Sequence, residues 1–517
     1  MEKKGSVKLR LRDTKHPLLF EINTRVLFRE LSEKAGKRIT LGTIPDEVID
    51  SWQELGFDAI WLMGVWTTGD IGLGIARAHS GLQEEFRRAL PDLQEDDIIG
   101  SPYAVKAYTV SEELGGNKSL AVFRRRLRER RISLILDFVC NHTSRDHSWI
   151  FSHPEYYIQG TPDDQHRKDM FFTAETKQGE KTIAYGKDPY FPGWTDTAQL
   201  NYRTPATRKA ATNAIKKIAS MCDGIRCDMA MLLLNDVIEK TWRGIGVFHP
   251  NGNSKNEFWV GCIAEIKKEH PEFLFIAEAY WDLEWKLQQL GFDFTYDKKL
   301  CDRLLKEGAG SVYEHLTAEP IFQKKSLRFV ENHDEVRAAH ALSSDAWNAA
   351  ATVITATTPG MFMVHDGQME GRKVKLPVQL GRRPSEPLSH NMSGFFKRLL
   401  SNLNSPVFRK GEWSMLSVRP GWHENHSWRN VIPFWWHDSA TGARLVVVNY
   451  APHGSQCYID LPLENISGHA IEFRDLLGDS LYNREKSGLA AKGMYFDIPE
   501  YGFHIFEVKE AGTPSKS

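Results

Sequence analysis

The chain has 517 residues, 41% of them hydrophobic and 26% charged, which is ordinary globular composition in a chain too long for one compact core. Its 66 lysines and arginines almost cancel 67 aspartates and glutamates, so the charge gives no reason to expect nucleic acid or an anionic membrane as partner. Residues 1–15 lack the apolar stretch of a secretory leader, no run approaches a membrane span, and six scattered cysteines make neither a metal-ligand nor a disulfide pattern; a reducing, cytoplasmic location is expected.

Short apolar runs that end on polar residues alternate with helical patterns. Residues 18–23 (LLFEIN) precede the amphipathic stretch 45–55, and 59–63 (AIWLM) precede a long glycine-containing segment. The arginine run 124–131 (RRRLRERR) reads as a solvated helix face leading into 131–138 (RISLILDF). Residues 222–228 (CDGIRCD) follow helical 207–221, and 273–278 (FLFIAE) follow helical 258–270. The runs 291–297 (GFDFTYD), 327–331 (LRFVE) and 361–365 (MFMVH) complete eight candidate strands alternating with helices. That order predicts a parallel sheet, closed as a (β/α)₈ TIM barrel, with a doubly wound open sheet as the alternative that pattern alone leaves standing.

From Asp137 to Asp228 is 91 residues, against roughly 30 for a barrel unit. The excess, rich in Pro, Gly, Asp and aromatic residues, predicts a subdomain inserted after strand three, over the mouth of the barrel. Beyond residue 405 the helical pattern fades, and 444–450, 456–461, 494–498 and 503–508 read as strands of an antiparallel β-domain. The expected organisation is therefore barrel (1–141), inserted subdomain (142–202), barrel resumed (203–405), C-terminal β-sandwich-like domain (406–510) and a disordered polar tail (511–517).

Carboxylates stand where apolar strands finish: Asp137 after LIL, Asp228 after GIRC, Glu278 after FIA, and His333–Asp334 after FVEN. Any one of them reads equally well as a strand cap or a structural ion pair. Four converging on one barrel mouth do not, because clustered like charge is destabilising without a task. Glycosidic bond cleavage is such a task, needing a carboxylate nucleophile and a protonated acid roughly 5–5.5 Å apart for retention of configuration. Arg226 and Asp228 are two apart, so in a strand they share a face, and the guanidinium would keep Asp228 ionised and oriented. Glu278 sits among apolar and aromatic residues (FLFIAEAYW), where desolvation would keep it protonated.

These residues meet a family pattern, and the chain resembles the α-amylase family of retaining glycoside hydrolases and transglycosylases over residues 18–510. Asp137-Phe-Val-Cys-Asn141-His142 matches its D-x-x-x-N-H segment and Gly224-Ile-Arg226-Cys-Asp228 its G-x-R-x-D segment. Ala277-Glu278-Ala279-Tyr280-Trp281 and Glu331-Asn332-His333-Asp334 resemble the segments after strands five and seven, and Gln199-Leu200-Asn201 a further one. The resemblance implies Asp228 as nucleophile, Glu278 as acid/base and Asp334 as the carboxylate that holds the sugar hydroxyls in the distorted ring. It implies sugar contacts from His142 and His333, a positioning role for Arg226, and a stacking role for Tyr103, which reads equally as a turn aromatic packed on the barrel rim. Of the tryptophans near strand ends (61, 66, 194, 281 and 285), Trp194 and Trp281 are the candidates for sugar contact, the others being core or rim.

The chain also departs from the family. Ala104 stands where the family often has an aspartate after the stacking tyrosine, and Met229-Ala230-Met231-Leu232 replaces a Lys-His pair on the acceptor side. Hydrolysis of α-1,4-glucans (maltodextrin, glycogen or starch) is the expectation, with transfer to a sugar or phosphate, or isomerisation, as its rival. A barrel that only binds glycans and a metal-dependent hydrolase using His142 and His333 are the alternatives from other classes. No cofactor is expected to be required; Asn141 resembles a residue that binds structural calcium in many members, but no complete oxygen-ligand set can be assembled from sequence. The motif after strand eight, Gly381-Arg382-Arg383-Pro384, reads as a solvated loop, with anion recognition as the other reading.

Overall fold

A computed structural model describes residues 9–244, 256–464 and 466–511. Residues 1–8 of the N-terminal stretch and 512–517 of the expected tail lie outside them. Eight parallel strands close a barrel: β1 (Leu18–Asn23), β2 (Ala59–Met63), β3 (Ser133–Val139), β4 (Gly224–Asp228), β5 (Leu274–Ala277), β6 (Phe294–Tyr296), β7 (Ser326–Arg328) and β8 (Met361–His365). Each pairs with its sequence neighbours, and β1 closes the ring on β8, with Leu18 opposite Phe362. The open-sheet alternative falls away with that pairing.

Sequence explains why the ring closes. Every residue of β2, β3, β4 and β8 is buried, as expected where helices cover a parallel sheet outside and side chains fill it within. Leu19, Trp61, Met63, Ile135, Ile276, Tyr296 and Met363 belong to the interior cluster. Their alternates, such as Phe20, Ile60, Leu62, Leu134, Leu136 and Ile225, face the helices. Gly224 marks a close approach, since a Cβ there would lie 2.7 Å from Leu274 Cβ and 2.9 Å from Ile135 Cδ1. Helix α1 (Thr24–Ala35) begins directly on β1: Asn23 caps it by accepting from Val26 N, and Gly36 ends it at φ 62°.

The arginine run is less solvated than its sequence suggests. Arg124 and Arg128 both pair with Asp223, and Arg126 and Arg130 both reach Asp46. The helix Gly116–Glu129 is thereby tied to the start of β4.

Three additions decorate the barrel. The glycine-containing segment after β2 contains two helices, α2 (Asp70–Ala78) and α3 (Ser80–Ala89), which the sequence reading left without structure. Between β3 and β4, strands His142–Ser144 and Thr197–Gln199 pair antiparallel, with His142 opposite Gln199. A hairpin of Phe171–Thr176 and Gly179–Ala184 lies between them.

The C-terminal part is a two-sheet sandwich. Its six-stranded antiparallel sheet runs Glu412–Met415, Val431–Asp438, Gly442–Asn449, Phe503–Glu510, Ala470–Asp475, Leu481–Glu485. A second sheet of Val418–Pro420, Ser455–Ile459 and Met494–Ile498 covers one face. Alternation along the strands divides the large sheet: Phe434, Trp436, Val446 and Val448 join the barrel's outer core, while Trp435, Leu445 and Val447 face the small sheet.

Candidate active site

The strand ends at one mouth of the barrel surround a cavity of about 450 Å³, within the usual range of small-ligand pockets. Asp228, Met229, Glu278, Asp334, Tyr103, His142 and Trp194 all line it. Nine of the sequence-predicted site residues border this space or anchor those that do: Tyr103, His142, Trp194, Asp228, Glu278 and Asp334 line it, and Asp137, Arg226 and His333 hold them from behind.

Arg226 organises the floor. It is 1% exposed. Its Nη1 donates to Asp228 Oδ1 at 2.7 Å and its Nη2 lies 2.8 Å from Glu278 Oε2. Asp137 Oδ1 is 3.7 Å away, and Nε donates to the Tyr296 hydroxyl at 3.2 Å. The rings of Trp61, Tyr103 and Tyr296 surround the guanidinium at 5.2–5.7 Å. One buried cation thus fixes two carboxylates on adjoining strands, which explains why the shared face of residues 226 and 228 matters.

Glu278 stands one residue beyond the last paired residue of β5. Its Oε1 accepts from the Tyr280 hydroxyl at 2.9 Å and its Oε2 from Met229 N at 2.6 Å. Met229 follows Asp228 at φ 45°, ψ 47°, and this left-handed turn in a non-glycine residue aims its N–H at Glu278. Burial raises the Glu278 carboxyl to about 7, and the charges of Asp228 and Asp334 push the same way against Arg226. Asp137 is also raised by burial, to about 6; it accepts from Trp61 Nε1 at 3.2 Å and Gly64 N at 3.1 Å and buttresses the floor from below.

Asp334 lies six residues past the end of β7, with its side chain 46% exposed at the cavity. Its Oδ2 is 3.1 Å from His333 Nε2. Despite the protein packed around it, the His333 cation and its hydrogen bond hold the Asp334 carboxyl well below the usual range. Burial works against the His333 charge, but Asp334 and Glu21 overcome it and raise the imidazole well above its ordinary value. The Tyr103 ring stacks on His333, and its hydroxyl lies 2.7 Å from Nε2. His142, lowered by burial, packs edge-on against Trp194 at 5.2 Å.

Two predicted residues stand elsewhere. Trp281 is 36% exposed outside the cavity lining, edge-on to Tyr190 at 5.0 Å. Asn141 is engaged with Gln199: Asn141 Nδ2 donates to Gln199 Oε1 at 3.1 Å, and Gln199 Nε2 donates to Asn141 Oδ1 at 2.8 Å. Among the described residues no group of three or more His, Cys, Asp or Glu side chains could hold a metal. Of the other tryptophans, Trp61 and Trp66 donate to Asp137 from the core, and Trp285 lies on the surface near Phe322.

Sequence reasoning missed Glu21, Asp196, Gln379 and the cavity face of α2 and α3. Glu21 left a signal, a lone acid inside the apolar run LLFEIN, fully buried here against His333 Nδ1. Asp196 sits beside His142, its carboxyl raised by burial. The double arginine is structural: Arg382 binds Asp97 and Asp92, and Arg383 binds Asp366 and Glu30.

A sequence profile described as the alpha amylase catalytic domain matches residues 45–375. Alpha-amylase MalA of Haloarcula japonica is 24% identical over 364 residues, covering 69% of this chain and 44% of that protein. An alpha-1,4-glucan:maltose-1-phosphate maltosyltransferase of Picrophilus torridus is 25% identical over 206 residues, covering 38% and 26%. The chain thus spans half or less of the length of these curated relatives. The crystal structure of the maltogenic alpha-amylase AmyB of Thermotoga neapolitana superposes with a TM-score of 0.66 at 18% identity, over 95% of this chain and 98% of that one.

Proposed function

The chain belongs to the alpha-amylase family, and on that premise we propose that it is a retaining glycoside hydrolase acting on α-1,4-glucans by double displacement. The observation that carries the reading is the pair of carboxylates on one guanidinium: Asp228 on Nη1 and Glu278 on Nη2 of Arg226. Groups held that way fall within reach of the roughly 5–5.5 Å separation that retention uses. Asp228 attacks the anomeric carbon as the sugar–oxygen bond breaks, and Glu278, whose raised carboxyl keeps a substantial protonated fraction at neutrality, gives its proton to the leaving oxygen. The same glutamate then takes a proton from the incoming water, whose oxygen displaces Asp228. Asp334, kept ionised by His333, accepts hydrogen bonds from ring hydroxyls as positive charge grows on the sugar. Tyr103 and Trp194 offer faces for the ring.

Transfer in place of hydrolysis is the second reading. Met229 borders the leaving-group side, followed by buried Ala230, Met231 and Leu232, and the Picrophilus relative is named for transfer of a maltosyl group. Incubation with maltooligosaccharides, with and without phosphate, separates the two. Shortened chains alone support hydrolysis; lengthened chains or a sugar phosphate establish transfer. Asp228→Asn should keep the fold by circular dichroism and lose nearly all turnover of either kind, and substantial remaining activity would overturn the nucleophile assignment. Six buried, unpaired cysteines suit a reducing compartment, and we place the protein in the cytoplasm on that ground.

A further inference from the structure

The helices α2 and α3 stand against the cavity, and their position relative to the two catalytic carboxylates has a chemical direction. A general acid must face the oxygen it protonates, so the leaving portion of the substrate departs on the side of Glu278 and Met229, at the ends of β5 and β4. Around the ring, β8 and β1 are opposite these strands. The segments after β8 and after β2 join there: Ile99 N donates to Gln379 O and Gly381 N to Asp97 O, each at 2.8 Å. Arg382 clamps Asp97 behind them, and Phe86, Ala89, Leu90, Ile98 and Leu380 form a small apolar core of their own. This is a braced wall.

Helix α2 turns Gly72, Ile75 and Ala76 to the cavity at helical spacing, continued by His79 and Leu82. Gly72 sets how closely it stands: a Cβ there would lie 3.4 Å from Ala104 Cβ and 3.5 Å from Asp196 Cβ. The helix therefore leans on the residue after Tyr103, 1% exposed, and on the inserted segment across the cavity. The small residue at 104 makes room for it.

We infer that α2 and α3 close the non-reducing side of the site, so that the enzyme works from chain ends and releases short units instead of cutting within a chain. The inference rests on the glycosidase reading above and adds to it the mode of attack. Beyond the sugar held by Asp334 and His142, a longer donor chain would meet Ile75, Ala76 and Leu82, which offer its hydroxyls no partner; His79, whose Nδ1 already accepts from Leu82 N, is the one polar side chain among them, and burying a hydroxyl unpaired is unfavourable. The cavity of about 450 Å³ has room for a short saccharide.

The test uses two p-nitrophenyl maltoheptaosides, one free at its non-reducing end and one blocked there by an ethylidene bridge, with products resolved by chromatography. The intact chain should favour the free substrate at least 100-fold in kcat/KM. Ile75→Ala/Leu82→Ala, changes at partly exposed positions, should narrow that gap at least tenfold. Equal turnover of the two substrates by the intact chain would overturn the inference and leave the glycosidase reading standing. A gap unchanged in the double variant would overturn the role of the helices. Turnover of neither substrate would overturn the glycosidase reading, and the inference with it.

Discussion

On the proposed double displacement, Glu278 carries the pH dependence of the reaction. It must enter the first step protonated, and burial with neighbouring charge raises its carboxyl to about 7. Above that pH the acid form is lost, so kcat/KM should fall about tenfold per unit, with the alkaline limb centred near 7; a limb centred near 9 would assign the proton to another group. The Tyr280 hydroxyl donates to Glu278 Oε1 at 2.9 Å, a bond that favours the ionised carboxylate. Tyr280→Phe removes that support, so the limb should move to higher pH by up to about one unit, a bond to a charged group being worth about 1.5–3 kcal/mol before compensation by neighbours. A merely structural tyrosine would lower activity without moving the limb. At this scale the sequence was informative wherever a charged side chain interrupts an apolar run, as at Asp137, Asp228, Glu278 and, unrecognised, Glu21. It marked Met229 only as a departure on the acceptor side and was silent on its backbone N–H, which only the left-handed turn shows reaching Glu278.

Elements were legible in proportion to how completely they are buried. The runs 59–63 and 361–365 match their strands end to end because every residue in them is covered. The runs 273–278, 291–297 and 327–331 outlast their strands, which are Leu274–Ala277, Phe294–Tyr296 and Ser326–Arg328. After β7 the chain stays apolar through Phe329 and Val330, whereas β5 and β6 are followed directly by Glu278 and Asp297; all four residues are buried although the ladder bonds have ended. Helix α2 escaped notice for the opposite reason: it is short, carries Gly72 and Gly74, and turns one face to a cavity, so no clean apolar stripe repeats. What fixes it is tertiary, and the clamp of Arg382 on Asp97 is the accessible point of attack. Asp97 has no exposed side-chain surface, whereas Arg382 is 23% exposed. Removing a partner from a fully buried pair costs about 3–5 kcal/mol; Asp97 keeps Arg29 at 3.0 Å and Arg382 is partly solvated, so Arg382→Ala should cost about 1–3 kcal/mol. Urea unfolding would measure that loss, and an unchanged midpoint would show that the wall does not depend on the clamp.

At the scale of the molecule, barrel, insert and C-terminal sheets could be ordered along the chain from pattern alone, but their mutual packing could not. Strand Val431–Asp438 shows why: it is buried at its first six residues, contains Pro433, and serves two cores at once, so no polar alternation announces it. Trp436 is the seam. It is 1% exposed, donates Nε1 to Thr357 O at 2.7 Å, and packs edge-on against His16 and Phe408. Tyr450 repeats the device by donating to Leu304 O at 2.6 Å while accepting from Trp347 Nε1 at 2.9 Å. Because Phe434, Trp436, Val446 and Val448 belong to the same apolar cluster as the barrel helices, the C-terminal sheet and the barrel share one core. Two units with separate cores would melt separately; these should melt together. Trp436→Ala, which leaves a cavity and an unpaired carbonyl at the seam, should cost about 3–5 kcal/mol. Calorimetry should then show one transition moved to lower temperature, coincident with loss of the barrel's catalytic activity. Two resolved transitions, with activity surviving the first, would mean that the barrel stands without the sheet and that the shared core contributes little to holding the site.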